Sequence, residues 1–374
     1  MSGDRYAFIV DWLDPQAQIV FKYQLMYYTV DGSLEMYDIK NRRVFLKRCV
    51  YPSVSVEHLY VGSIITIYSR QLNIVEYADE YTHQAMEKQR AKTLGLIKPD
   101  GMKNMGKIVH AIYRSGFLIN KMKIVQLSPA DAKQFYSCHK GKPFYEKLCS
   151  FMSSGPICAM ELVADDGIAK WRTLLGPTNT ADAKAKAPNS LRAHFGTDGT
   201  MNACHGSDAP DTAAQELNFF FNSPRKCFSG RGGSTLCIIK PHAVLAGHAG
   251  MIIDTIQKKY KVTGAEMFVI SRPNAMEFYE IYKGVCAEYT SMVEQLCEEK
   301  FIALEVSDPD GENPVDAFRE LCGPPDPEIA RVLRPETIRA QFGNDKVKNA
   351  VHCTDLAEDG QLEVTYFFDL LQGC

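Results

Sequence analysis

The chain carries the same pair of motifs twice. Thr93-Leu-Gly-Leu-Ile-Lys-Pro-Asp100 recurs as Thr235-Leu-Cys-Ile-Ile-Lys-Pro-His242, and Ala203-Cys-His-Gly-Ser-Asp208 recurs as Ala350-Val-His-Cys-Thr-Asp355. The spacing recurs too: 107 positions separate Lys98 from His205, and 112 separate Lys240 from His352. Around the second motif nothing slips. Arg192 to His205 and Arg339 to His352 are both 13 positions, Asn202 to His205 and Asn349 to His352 are both 3, and each His lies 11 before a Glu, Glu216 or Glu363. A repeat of this length is one folding unit used twice, so the 374 residues divide into three parts: a segment of about 90 and two related domains.

Within the first copy apolar strands alternate with helical spacing. Thr93–Ile97 is a short apolar strand; Ile108, Val109, Ile112 and Tyr113 fall on one helical face that Gly116 ends; Ile119–Leu127 and Ile157–Val163 are further strands. Ser128-Pro129-Ala130-Asp131 reads as a helix cap with Pro in the first turn. The second copy repeats this with a helix over 251–259, a strand over 263–270, a helix over 275–283 and a strand over 301–306. The order strand-helix-strand-strand-helix-strand is ferredoxin-like, and the class is α+β. Residues 223–234, rich in Gly, Ser and Pro, form the expected linker between the copies. The first 91 residues belong to neither. Strands are expected at 23–30 and 33–39, joined by a two-residue Asp31-Gly32 turn, then at 44–46, 64–68 and 72–77. Residues 81–92 read as a solvated connecting helix or linker. The expected domains are therefore 1–91, 92–222 and 235–374.

Charge and cysteine usage exclude several classes. With 42 Lys and Arg against 45 Asp and Glu, no whole-chain positive field favours nucleic acid. The twelve cysteines occur singly, without a CxxC pair, as expected of reduced thiols inside a cell. Residues 1–14 mix acids among apolar side chains, unlike a secretory leader, and no apolar run suits a membrane span.

Each copy places a Lys-Pro turn directly after an apolar strand and, far along the chain, a His between small residues. A strand-terminal lysine holds a phosphate as a point charge. An imidazole with one nitrogen fixed and the other free is a phosphoryl acceptor near neutral pH. Arg172 and Arg192 supply charge-assisted contacts to phosphate oxygens, Thr178 and Asn202 neutral ones, Tyr136 a phenol and Phe144 a ring. Ser207 and Glu216 are available to orient His205. No GxxxxGK[ST] cradle is present, so phosphates would be held by side chains.

Ile97-Lys-Pro-Asp100, Pro143-Phe144, Gly155-Pro156, Arg172 with Leu175-Gly-Pro-Thr178-Asn179, Leu191-Arg192 and Asn202–Asp208 together resemble the successive motifs of nucleoside diphosphate kinases. The amino-terminal part is similar to the DM-type domain of ciliary proteins. The resemblance implies a ping-pong phosphotransferase with His205 as phosphorylated nucleophile and nucleoside di- and triphosphates as substrates. It puts Lys98, Tyr136, Arg172, Thr178, Arg192 and Asn202 around phosphates and ribose, and Phe144 against the base. Ser207 and Glu216 orient the His, and Mg²⁺ arrives on the nucleotide, with no metal held by the protein itself. It further implies tubulin and axonemal microtubule proteins, γ-tubulin complexes among them, as partners. The implied setting is cytoplasm and cytoskeleton, cilium, axoneme, centrosome and basal body. A chiefly structural axonemal component remains the alternative. Neither a nucleic-acid nor a membrane partner is expected.

The second copy keeps Lys240, Tyr279, Arg319, Arg339, Asn349, His352 and Glu363 as a second site. It departs at Pro325 for Thr178, Asp326 for Asn179, His242 for Asp100, Cys353 for Gly206, and Glu298-Glu299-Lys300 for Ser154-Gly155-Pro156. Asp326 is expected to weaken phosphate binding most, because like charges repel unless a cation intervenes. The first segment offers one charge feature: Lys40, Arg42, Arg43, Lys47 and Arg48 on a hairpin.

Overall fold

A computed structural model describes residues 5–14, 17–87, 91–222, 227, 233–310 and 314–371. Alternating burial builds the first domain. Strands β1 (Arg5–Asp14), β2 (Ile19–Tyr28), β3 (Ser33–Asp38), β4 (Arg43–Val50), β5 (Ile64–Ile67) and β6 (Arg70–Tyr77) form one sheet in the order β4-β3-β2-β1-β6-β5. One face buries Phe8, Val10, Leu25, Leu34, Met36, Leu72 and Ile74. The helix Glu80–Glu87 closes that face: Thr82 Oγ1 accepts from the Ala7 amide at 2.8 Å, and Met86 is buried among the sheet residues.

Two readings of the sequence change here. β1 lies at the centre of this sheet, although Asp11 and Asp14 break its apolar pattern: Phe8 and Val10 face the core while the acids sit toward the end of the strand. The Asp31-Gly32 connection is a four-residue loop, Thr29–Gly32, in which Gly32 takes φ +67° and Asp31 Oδ1 accepts from the Ser33 amide at 3.0 Å. That side-chain bond stabilises a wider turn than the two-residue one.

The two copies share a single eight-stranded sheet. β7 (Ala91–Ile97), β8 (Leu118–Val125), β9 (Ile157–Ala164) and β10 (Cys204–Gly206) come from the first; β11 (Ser234–Ile239), β12 (Lys261–Phe268), β13 (Phe301–Ser307) and β14 (Val351–Cys353) come from the second. The order is β10-β7-β9-β8-β12-β13-β11-β14, so each half runs fourth, first, third, second, the antiparallel ferredoxin-like arrangement. The halves meet where Lys123 of β8 faces Glu266 of β12. Behind that seam the helices Met105–Arg114 and Ala249–Gln257 cross in contact and share a core of Ile108, Val109, Ile112, Ile252, Ile253 and Ile256. Two glycines permit this approach. A Cβ on Gly106 would lie 2.2 Å from the Asp254 amide nitrogen, and one on Gly250 would lie 2.2 Å from that of His110. The equivalence of these contacts gives the pair an internal twofold relation.

The connecting helix expected over 81–92 spans Glu80–Glu87, and Ala91 and Lys92 already belong to β7, facing Ala164 and Val163. Of the linker expected over 223–234, Ser234 opens β11; the rest, apart from Cys227 and Gly233, lies outside the described residues.

Glu298-Glu299-Lys300 serves the junction of the three domains. Ser53 Oγ donates to Glu298 Oε1 at 2.9 Å, and Thr66 Oγ1 donates to the Cys297 carbonyl at 3.1 Å. Lys300 Nζ and Tyr60 OH both donate to Asn120 Oδ1, Asn120 donates to Glu161, and Lys92 pairs with Glu161 at 3.4 Å. Burial lowers Lys300 to about 8 and raises Glu299 to about 7.

Candidate active site

His205 sits in β10, opposite Leu96 of β7, at the edge of the shared sheet. The preceding Ala203 adopts φ +63°, and Ala350 in the second copy adopts φ +71°. A left-handed non-glycine residue is strained, and here the surroundings fix it. The Ala203 amide donates to Asp100 Oδ2 at 3.0 Å and its carbonyl accepts from the Lys98 amide at 2.8 Å. The Lys-Pro turn thus clamps the backbone that presents the imidazole. His242, which stands for Asp100 in the second copy, makes the same bond: its Nε2 accepts from the Ala350 amide at 3.2 Å. Burial and neighbouring Lys240 hold His242 down at about 4, so it stays neutral and able to accept.

Around His205 the side chains interlock. Nε2 bonds Glu216 Oε1 at 2.9 Å; Glu216 Oε2 accepts from Ser207 Oγ at 2.6 Å; Ser207 Oγ accepts from the Leu94 amide at 3.3 Å. A carboxylate that is already an acceptor fixes the ring proton on Nε2, which leaves the lone pair on Nδ1. Phe135 and Tyr136 set their edges against the ring, at 5.5 and 5.9 Å between centroids. Beneath it, fully buried Trp171 donates from Nε1 to the His205 carbonyl at 3.3 Å. Gly206 is required there, because a Cβ would lie 2.3 Å from that indole nitrogen.

The cations converge beside the imidazole. Lys98 Nζ donates to Asn202 Oδ1 at 2.7 Å and to the Thr200 carbonyl at 3.1 Å; Asn202 Nδ2 reaches the Thr178 carbonyl at 2.9 Å. Burial, with Arg192 nearby, lowers Lys98 to about 8. Arg192 braces the Gly176 and Cys204 carbonyls at 2.8 and 3.2 Å and has a buried Nε without a partner. The Tyr136 hydroxyl is likewise buried and unpartnered, its pKa raised by burial. Arg172, Thr178 and Phe144 are exposed at the mouth, the Phe144 ring edge-on to His139 at 5.6 Å.

The second copy rebuilds the core of this arrangement. His352 Nε2 bonds Glu363 Oε2 at 3.1 Å, Thr354 takes the part of Ser207 with a 2.8 Å bond to Glu363, and the Leu236 amide donates to Thr354. Phe278 and Tyr279 flank the ring at 5.1 and 6.0 Å. Arg339 bonds the Gly323 and Val351 carbonyls, as Arg192 does theirs, and adds Cys353 Sγ at 3.5 Å. Phe318 stands where Trp171 does and leaves room for Cys353. The differences lie at the mouth. Lys240 Nζ keeps the carbonyl bond, to Val347 at 2.8 Å where Lys98 bonds Thr200, but makes none to Asn349, whose Oδ1 is buried without a partner; burial lowers Lys240 to about 7. Arg319 pairs with Asp355 at 3.6 Å. No ring matches Phe144, since residues 285–288 are Val-Cys-Ala-Glu. Asp326 is less exposed to a phosphate than its charge suggested: it caps the helix Pro327–Leu333 through the Glu328 amide at 3.0 Å and pairs with Lys346 at 3.6 Å.

Sequence reasoning overlooked Phe135, Trp171 and the left-handed alanines. Phe135 and Trp171 read as ordinary core positions, and no residue type announces φ above zero at Ala203. The Asp100 and His242 pair carried a signal, as both are acceptors at one repeat position.

Residues 91–225 and 233–372 match the nucleoside diphosphate kinase family, and residues 1–88 match the "nucleoside diphosphate kinase 7 N-terminal PH domain". The chain is 48% identical to nucleoside diphosphate kinase homolog 7 of Rattus norvegicus, covering 100% of this chain and 95% of the relative. It is 50% identical to the nucleoside diphosphate kinase of Desulfotalea psychrophila over 35% of this chain and 95% of that one. A crystal structure of the Aquifex aeolicus enzyme, 42% identical, covers 35% of this chain and 95% of its own, with a TM-score of 0.35. With both repeats matched along their length and a relative nearly half identical from end to end, the chain belongs to the nucleoside diphosphate kinase family.

Proposed function

We propose that the first module transfers the γ-phosphoryl group of a nucleoside triphosphate to a nucleoside diphosphate by way of His205. The observation that carries this reading is the Ser207–Glu216–His205 chain, which commits Nε2 and leaves Nδ1 as the nucleophile. The Nδ1 lone pair forms the N–P bond as the bridging Pγ–O bond breaks and the diphosphate leaves with the electron pair. The ring proton stays on Nε2 against Glu216. A second diphosphate reverses the step. Lys98 and Arg192 stabilise charge on the transferring group from fixed positions, Arg172 and Thr178 hold the outer phosphates, Asn202 positions Lys98, and exposed Phe144 offers a face to a base. Mg²⁺ enters this reading as part of the nucleotide substrate, bridging its phosphates.

The test is turnover from ATP to a second nucleoside diphosphate. His205→Ala should lose on the order of 10³-fold or more, and His352→Ala less than about twofold. Wild-type protein without turnover, or equal loss in both variants, would sink the reading.

A second role rests on the β3–β4 hairpin. Lys40, Arg42, Arg43 and Lys47 are all exposed, while Arg48 is drawn to Asp31 at 2.9 Å and over the Tyr28 ring. We infer that this face meets an acidic protein surface; naming tubulin in cilia or centrosomes as that surface rests on the family resemblance and not on the hairpin charge. Full-length protein should co-sediment with microtubules, and reversing these four charges should abolish it. Co-sedimentation that persists after reversal would contradict the assignment.

A further inference from the structure

The second module keeps the complete His352–Glu363–Thr354 chain yet buries its imidazole more deeply: the His352 side chain is 6% exposed, against 20% for His205. One carboxylate bridges the cleft in front of it. Tyr282 OH donates to Asp355 Oδ2 at 2.5 Å, Asp355 Oδ1 pairs with Arg319 Nη2 at 3.6 Å, and Arg319 Nη1 donates to the Asp355 carbonyl at 2.8 Å. These three residues line the same cleft as Lys240, Arg339 and His352. Asp355 and burial together raise the Tyr282 pKa, so the phenol remains a donor.

The first module has the same positions and no such bridge. His139 stands for Tyr282, and the Asp208 carboxylate bonds Thr212 of the helix Pro210–Phe221, with the Arg172 charge nearby but no ion pair between them. Thr212 corresponds to Asp359 in the second copy, an acid that offers Asp355 no hydroxyl. Deprived of its local donor, Asp355 turns across the cleft to Tyr282 and Arg319. A carboxylate then occupies the guanidinium that would receive a phosphate oxygen.

We propose that the second module is a phosphohistidine site held shut by a Tyr282–Asp355–Arg319 latch, in which the Asp355 carboxylate stands in for a substrate phosphate. The proposal rests on the reading of His205 as the phosphorylated residue of the first module. Opening the latch frees Arg319 and uncovers Nδ1 of His352. That nitrogen then takes a γ-phosphoryl group: the N–P bond forms, the Pγ–O bridge breaks, and the diphosphate departs, with the ring proton kept on Nε2 by Glu363.

Two measurements on the full chain test this. In a His205→Ala background, Asp355→Ala and Tyr282→Phe are incubated with γ-labelled ATP, and acid-labile label is mapped to His352. A rise in initial rate of at least about tenfold for Asp355→Ala, with a smaller rise for Tyr282→Phe, is expected for a latch worth one decade in the open population. The second readout does not depend on nucleotide. Carbethoxylation of His352 by diethyl pyrocarbonate should accelerate in the same order. If both variants retain the parent melting temperature and neither gains reactivity toward the reagent, the latch is refuted. If carbethoxylation accelerates without labelling while unmutated His205 labels normally, the latch stands as a steric cover and the phosphohistidine assignment of His352 is overturned. Absence of label on wild-type His205 would instead fall on the reading of the first module, and the carbethoxylation result would still decide the latch.

Discussion

The first and second modules hold the same imidazole, carboxylate and hydroxyl chain on the same sheet edge, and differ in what surrounds it. In the first, Lys98 reaches Asn202, and Phe144 and Arg172 lie open at the mouth. In the second, Lys240 keeps the equivalent backbone carbonyl but not the Asn bond, Arg319 is engaged by Asp355, and no ring matches Phe144. A nucleophile and its orienting acid can therefore persist in a fold while the groups that receive substrate change. The His chain also ties the sheet edge, since Ser207 and Thr354 accept from the Leu94 and Leu236 amides, whereas Arg172 and Phe144 at the mouth are exposed.

The largest expected effect that would sharpen this contrast comes from the tautomer. Glu216→Gln can present its amide N–H to His205 Nε2 and drive the ring proton to Nδ1. Turnover should fall by about 10² to 10⁴, the scale of wrong-tautomer variants in other histidine enzymes, while Glu363→Gln changes total turnover by less than about twofold. Equal losses would break the comparison.

Next is pH. Phosphate needs the charged ammonium, and burial leaves Lys240 at about 7 and Lys98 at about 8. Nucleotide affinity should thus decline roughly tenfold per unit above these values, beginning about one unit lower in the second module. Binding titrations on Lys98→Ala and Lys240→Ala proteins report the two modules separately, and superimposable profiles would refute the difference. Stability runs the other way. Each lysine titrates near 10.4 when unfolded, so the cost of burying its charge is present below the folded value and is relieved as pH rises above it.

A smaller effect tests the packing under the nucleophile. Gly206→Cys copies the second module but meets Trp171, and should destabilise by about 1–3 kcal/mol. Adding Trp171→Phe, the Phe318 solution, should recover part of that loss in thermal melts; additive losses would show that the two positions are not coupled. The smallest effect is expected at Asp326→Asn. Lys346 already offsets the charge and Asn caps a helix as well as Asp, so nucleotide affinity should move by less than about threefold.

The repeat spacing made the two modules and their ferredoxin-like order legible, because each His, Asn, Arg and Glu is tied to a strand end that admits little slippage. β1 was hidden, since a strand at the sheet centre still tolerates acids near its end. The role of Glu298-Glu299-Lys300 was hidden for a different reason: its partners Ser53 and Asn120 come from other domains, at sequence distances where no local pattern survives. The Tyr282–Asp355 bridge likewise spans 73 positions. For Asp326 the intervening cation is Lys346, distant in sequence, and the carboxylate also caps a helix, neither of which a single-residue comparison reveals.

One of two equivalent histidines, His205, is open to substrate on this reading. Phosphate per chain, measured with saturating γ-labelled ATP and mapped by mass spectrometry under alkaline conditions, tests it most directly. Close to one phosphate per chain is expected, on His205; label mainly on His352, or equally on both, would contradict this by showing that the second histidine is open as well.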